Sequence, residues 1–368
     1  MSLRDKWQRF IMLYNKFFDL LRYSIGTSDI VSHLTEEEWE EMYETAKKQS
    51  LVGIAFQAVN RLSADQQPPR KLKLRWIMQV EKIAKRNEDV NKVAVAVTAQ
   101  LMKAGIPNCV LKGQGNAMMY PKPDTRTSGD IDVWLAAPED KIVRMAKRAN
   151  PKAKAEYHHI DFPRVSGIPV ELHYRPSFMN NLINNHRMQV WFKQQAKEQC
   201  NHKVELSDGV GNICAPSVAF NRIYQMAHIS NHLIHEGIGL RQLLDYYYLL
   251  QQGFTEEERK EDEQLLKRFG LYKVATAVMY VLREVFGLKQ EQMIVPVDER
   301  RGRFLLEEIM QAGNFGHFDE RVSHDGGQLQ KNTNRLKRDI RLLRYFPSEC
   351  LWEPVFRWYH FFWRLRHR

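Results

Sequence analysis

Apolar residues recur at three- and four-residue spacing over Glu36 to Val59 and again over Lys71 to Met102, the period of amphipathic helices. Asp65-Gln66-Gln67-Pro68-Pro69 separates the two runs as a turn. Residues 1 to about 105 therefore read as helices, and Gly105-Ile106-Pro107-Asn108 ends them. The pattern then changes. Cys109-Val110-Leu111 predicts a short buried strand, Lys112-Gly113-Gln114-Gly115 a glycine turn, and Asn116 to Tyr120 a short helix. Pro121-Lys122-Pro123-Asp124 breaks that helix ahead of a strand within Gly129-Asp130-Ile131-Asp132-Val133-Trp134-Leu135. Pro138-Glu139-Asp140 opens a basic helix to about Ala149. Two more strands, Tyr157 to Val165 and Ile168 to His173, are joined by Ser166-Gly167 as a hairpin. From Pro216 the helical period returns, strongest over Phe220 to Leu233 and Leu240 to Leu250, with Gly237-Ile238-Gly239 between them.

This order predicts an α+β chain with a small mixed sheet core flanked by helices on both sides. The expected divisions are a helical N-terminal region at 1–104, a core at 105–215, a helical C-terminal domain at 216–330 and a basic aromatic tail helix at 331–368.

Composition narrows the class. With 43% apolar and 11% aromatic residues among 368, the chain can fill substantial cores. Its four cysteines, Cys109, Cys200, Cys214 and Cys350, form no CxxC pair, which argues against a zinc ribbon or a disulfide scaffold and fits a reducing compartment. Met1-Ser2-Leu3-Arg4-Asp5-Lys6 has no signal-like apolar segment, and no apolar run approaches the ~18 residues of a spanning helix, so a cytoplasmic location is expected. The net charge of +11 is uneven: from Lys331 onward ten Lys and Arg stand against three acids.

The candidate chemistry centres on Asp130 and Asp132. Two apart on a strand, they project from one face and repel unless a cation lies between them. Hard divalent ions such as Mg²⁺ are held by one or two carboxylates together with substrate phosphates, so the pair points to nucleotide chemistry.

Leu111-Lys112-Gly113, Tyr120-Pro121, Arg126, Gly129-Asp130-Ile131-Asp132 and Glu171-Leu172-His173 together resemble the nucleotidyltransferase superfamily, which includes kanamycin nucleotidyltransferase and DNA polymerase β. With Leu240-Arg241-Gln242-Leu243-Leu244-Asp245 and Gly313-Asn314-Phe315-Gly316, they are most similar to its uncharacterised bacterial nucleotidyltransferase-like family. The resemblance implies a nucleotidyltransferase-fold core and Mg²⁺-dependent transfer of a nucleoside monophosphate from an NTP, ATP first, to a hydroxyl or phosphate of an unknown small-molecule or protein acceptor. It implies two Mg²⁺ ions about 3.5–4 Å apart, held by Asp130, Asp132 and a third carboxylate. Glu171 fits that third place best, with Asp161 as its competitor. It also implies that Lys112, Gly113, Gln114 and Arg126 bind the nucleotide, Gly113 by letting the backbone approach the phosphates. The superfamily usually has a serine where this chain has Gln114. By analogy with aminoglycoside nucleotidyltransferases, Asp245 is the implied general base.

Each of these residues has a plainer reading. Lys112 neutralises the aspartate pair, Arg126 braces its loop through Asp124, Asp245 pairs with Arg241 four residues away, and His173 is a hydrogen-bonded structural histidine. His228, His232 and His235 form a stripe along one helix face, more simply a cleft wall than a zinc site. The aromatic-basic tail, Trp352 to Arg368, packs on its own domain, lies on a membrane or stacks on nucleic acid, with nucleic acid ranked last. A protein that kept the fold and the nucleotide but lost catalysis is the reading from a different class.

Overall fold

A computed structural model describes residues 3–322 and 327–366. The fold is α+β. Four helices lead the chain: α1 (Leu3–Ile25), α2 (Glu36–Lys48), α3 (Val52–Arg61) and α4 (Arg70–Lys103). Thr35 and Glu38 cap α2 reciprocally, satisfying backbone donors that a bare helix end leaves open. The run expected to be continuous from Glu36 to Val59 is broken at Gln49-Ser50-Leu51, where Ser50 takes φ +56. The Gln49 side chain is recruited there as a long-range clamp, donating to the Ile309 carbonyl (3.0 Å) and accepting from the Leu240 amide (2.9 Å).

The sheet region follows as β1 (Asn108–Val110), α5 (Gln114–Ala117), β2 (Ile131–Leu135), α6 (Glu139–Ala149), β3 (His159–Val165) and β4 (Ile168–His173). Its strand order is β1-β2-β4-β3, with β2 and β4 parallel and the other neighbours antiparallel. The β3–β4 turn is the expected Ser166-Gly167 pair, both at positive φ. Beyond it come α7 (Leu182–Gln199) and a two-stranded sheet of β5 (Lys203–Glu205) and β6 (Asn212–Cys214). The closing helices are α8 (Val218–His235), α9 (Leu240–Leu250), α10 (Glu256–Arg268), α11 (Tyr272–Phe286), α12 (Glu299–Ala312), α13 (Gln328–Leu343) and α14 (Pro347–Arg366).

Strand alternation divides the buried side chains between two cores. Val110, Ile131, Val133, Leu135, Val170 and Leu172 join α4 and α6 in one. Cys109, Leu111 and Trp134 join the helical core on the other face, where Trp134 stacks on Phe220 at 5.8 Å. The period of two places Asp132 with Trp134, on the side of β2 that looks toward α8 and α9. The acids therefore share their face with one large ring. Asp130 sits just ahead of the strand.

Candidate active site

Parallel pairing of β2 with β4 sets Asp132 opposite Glu171, and Gly129-Asp130 leads into the same edge. The ligand oxygens of Asp130, Asp132 and Glu171 lie within 4.8 Å of one another. Asp161 is the cross-strand neighbour of Glu171 from β3, but it is exposed and stays outside that group. Lys112, just past β1, brings its Nζ to 3.1 Å from Asp132 Oδ2. His173 Nε2 lies 2.9 Å from Asp132 Oδ1 and 3.2 Å from Glu171 Oε2, with His159 Nε2 3.7 Å from the same Glu171 oxygen.

These contacts divide the charge unevenly. Burial opposes the Asp132 charge, but Lys112 and the His173 hydrogen bond hold its carboxyl well below the usual range. Burial also opposes a charged His173, and the bonds to Asp132 and Glu171 overcome it, raising the imidazole to about 9. Asp130 has no cationic partner within ion-pair distance among the described residues; the neighbouring Asp132 charge and burial push it up to about 6. Three carboxylates thus converge where Lys112 and His173 are the close cations, and the deficit is concentrated on Asp130.

The opposite wall comes from α9 and the loop before β2. Arg126 grips Asp245 with two parallel bonds, Nε to Oδ1 and Nη2 to Oδ2, both 2.7 Å. Tyr120 adds a third, from its hydroxyl to Oδ1 at 2.6 Å. Burial works against the Asp245 charge, yet Arg126 holds its carboxyl below the usual range. This corrects one expectation: Arg126 braces across the fold to Asp245, not locally to Asp124, and both Asp245 oxygens are engaged by Arg126 and Tyr120. Arg241 consequently does not bridge to Asp245; it donates to the Thr127 carbonyl (3.4 Å) and lies over the Phe315 ring.

Gln114 also differs from expectation. Its side chain is buried and its amide donates to Asn91 on α4, turned into the core. Gly113 adopts φ +61, a region that any side chain would strain, and an added Cβ would meet only the Asp130 carbonyl at 3.8 Å. The backbone there is open to close approach.

A cleft of about 840 Å³ runs from the acids along α8, with His228, His232 and His235 on its wall. His232 Nδ1 pairs with Glu236 Oε2 at 2.9 Å, and burial keeps His228 well below its usual pKa, hence neutral. The potential metal groups among the described residues do not include this stripe. A smaller recess beside the acids is lined by Arg126, Tyr224 and Gln242. Arg126 Nη1, the Tyr224 hydroxyl and Gln242 Nε2 are buried polar atoms with no partner. Native interiors rarely leave such donors idle, so they mark space for an acceptor-rich group. Sequence reasoning missed Tyr224 and Gln242; both sit on helical core faces where periodicity signals only burial.

A sequence profile of an uncharacterised nucleotidyltransferase family matches residues 35–287. The crystal structure of an antigenic nucleotidyltransferase-like protein from Paracoccidioides brasiliensis is similar at 13% identity and a TM-score of 0.31, over 49% of this chain and 88% of that one. No curated protein matches the chain.

Proposed function

The chain belongs to this uncharacterised nucleotidyltransferase family, and from that premise we propose that it transfers a nucleoside monophosphate from ATP to a hydroxyl or phosphate of a small-molecule or protein acceptor. The acceptor oxygen bonds to the α-phosphorus, a hydroxyl acceptor releasing its proton to water, while the bond from the α-phosphorus to the α–β bridging oxygen breaks and pyrophosphate leaves with that oxygen. The observation that carries this reading is the convergence of Asp130, Asp132 and Glu171 on one sheet edge with charge left uncompensated at Asp130.

That all-oxygen, charge-deficient set fits hard divalent ions, so Asp130, Asp132 and Glu171 are the proposed ligands for two Mg²⁺. Such ions, when bound, activate the attacking oxygen and stabilise charge on the leaving pyrophosphate. Lys112 and His173 fix the Asp132 carboxylate through both its oxygens. The Gly113 backbone, the idle Arg126 Nη1 and the unpaired-to-carboxylate Arg241 offer phosphate contacts. Nucleotide binding without catalysis is the second reading, favoured by Gln114 standing where the superfamily has serine: the phosphate turn carries no hydroxyl there, and the Gln114 amide is spent on Asn91.

Calorimetric titration with a non-hydrolysable ATP analogue tests the site. Binding should require Mg²⁺ and vanish in Asp130→Asn with Asp132→Asn; equal affinity without metal would sink the proposed ligand set. A screen for labelled nucleotide transfer from each NTP to metabolites and cell protein, with the double variant as control, separates the two readings.

A further inference from the structure

Helices α13 and α14 pack on one another and on the body of the protein by one face each. From α14, Phe356 and Trp363 point inward onto Tyr157 at 5.1 and 5.8 Å, and Glu349 and Glu353 are buried with them. The opposite face is apolar and open. Leu351, Val355, Trp358, Phe362 and Leu365 follow at four- and three-residue spacing, a single stripe, and all are exposed, Trp358 to 67%. Tyr359 and Phe361 flank it. On α13 the exposed Leu336, Ile340 and Leu343 repeat the same spacing, with Ile340 64% exposed. Scattered exposed apolar residues need no explanation, but two contiguous stripes on adjoining helices do.

The charge that the two helices themselves expose is positive, with Glu156 the acid beside Phe361, Arg364 and Leu365. Arg335, Lys337, Arg344, Arg364 and Arg366 are exposed, and none forms an ion pair among the described residues. The acids of the two helices, Asp339, Glu349 and Glu353, are all withdrawn from the surface or half-buried. We propose that the outer face of α13 and α14 is a docking surface for an anionic lipid bilayer, on which the protein lies peripherally. Aromatic and aliphatic side chains enter the headgroup–acyl boundary while the flanking cations meet lipid phosphates. No helix of the described residues is long and apolar enough to cross a membrane, which matches a helix lying in the surface plane. A second copy of the chain is the poorer occupant. Twofold pairing of this face would bring the same unneutralised cations together.

The proposal stands whether or not the cleft transfers nucleotides, because its readout is binding to lipid. The full chain is sedimented with phosphatidylcholine vesicles and with vesicles containing about a third phosphatidylglycerol. At least about tenfold tighter binding to the anionic vesicles, weakened by salt, is expected. Trp358→Glu with Phe362→Glu, both at exposed positions, should abolish it while leaving the thermal unfolding midpoint in place. Arg344→Ala with Arg364→Ala and Arg366→Ala should weaken it several-fold. No preference for the anionic vesicles, or undiminished binding by the Trp358/Phe362 variant, overturns the proposal. So does a dimer in light scattering that the same variant converts to monomer without changing sedimentation, or oligonucleotide binding lost in that variant with no vesicle binding in the parent.

Discussion

Asp245 and Asp130 face the same recess from opposite walls, and they are solved differently. Asp245 accepts three hydrogen bonds from Arg126 and Tyr120, so its charge is balanced inside the fold. Asp130 lies beside another acid and has no close cation of its own among the described residues. A saturated carboxylate holds two elements together, whereas a deficient one asks for a partner from outside. For these two aspartates the hydrogen-bond account separates a brace from a carboxylate that calls for a cation.

The largest test of that contrast is Asp245→Ala. It strands a buried guanidinium and should lower unfolding stability by about 3–5 kcal/mol in denaturant titrations. An unaffected midpoint would erase the distinction. Asp130→Asn should do the reverse. Its fold is retained or slightly firmer, because repulsion with Asp132 is relieved, while nucleotidyl transfer falls at least about a hundredfold, or about 2.7 kcal/mol. Calorimetry for stability and a transfer assay for rate read the two effects separately.

Glu349 sharpens the comparison as a third solution. It is buried, accepts from the Asn180 amide at 2.6 Å through Oε2, and leaves Oε1 without a partner. It meets its deficit with a proton: burial raises it to about 7. Because the folded chain binds this proton more tightly than the unfolded one, the stabilisation is complete below about pH 4.5 and is lost as pH rises to about 7. Its share of the stability should fall by about 3 kcal/mol across that window. Glu349→Gln should flatten that part of the pH profile; an unchanged slope would assign the dependence elsewhere. The smallest effect belongs to Asp161→Asn. Exposed and outside the carboxylate group, it should shift stability by less than about 0.5 kcal/mol and leave Mg²⁺-dependent nucleotide binding intact. Loss of that binding would return Asp161 to the site in place of Glu171.

What the sequence disclosed was mostly local. Asp130 and Asp132 announce themselves within seven residues, Ser166-Gly167 marks its turn, and alternation along Ile168 to His173 predicts the strand that sets Glu171 opposite Asp132. Choices between partners were hidden wherever the winner is distant. Asp124 stands two residues from Arg126 and Arg241 four from Asp245, yet the pair that forms spans 119 positions because bidentate geometry and full burial favour it. The break at Gln49 has the same origin, since its amide reaches Ile309 and Leu240. The aromatic tail showed its amphipathic composition, but a single sequence does not say which stripe meets the protein. Phe356 and Trp363 do; Trp358 and Phe362 do not.

Strand β2 is five residues long, and its two faces belong to different cores: Val133 to the one beneath α4 and α6, Trp134 to the helical one. The segment bearing Asp132 is therefore a common wall, and neither half can melt without releasing it. Local opening of either half costs close to the global unfolding free energy at this strand. Slow amide exchange along Ile131 to Leu135 should accordingly track whole-molecule denaturation, making the acid-bearing edge among the last parts of the fold to be surrendered.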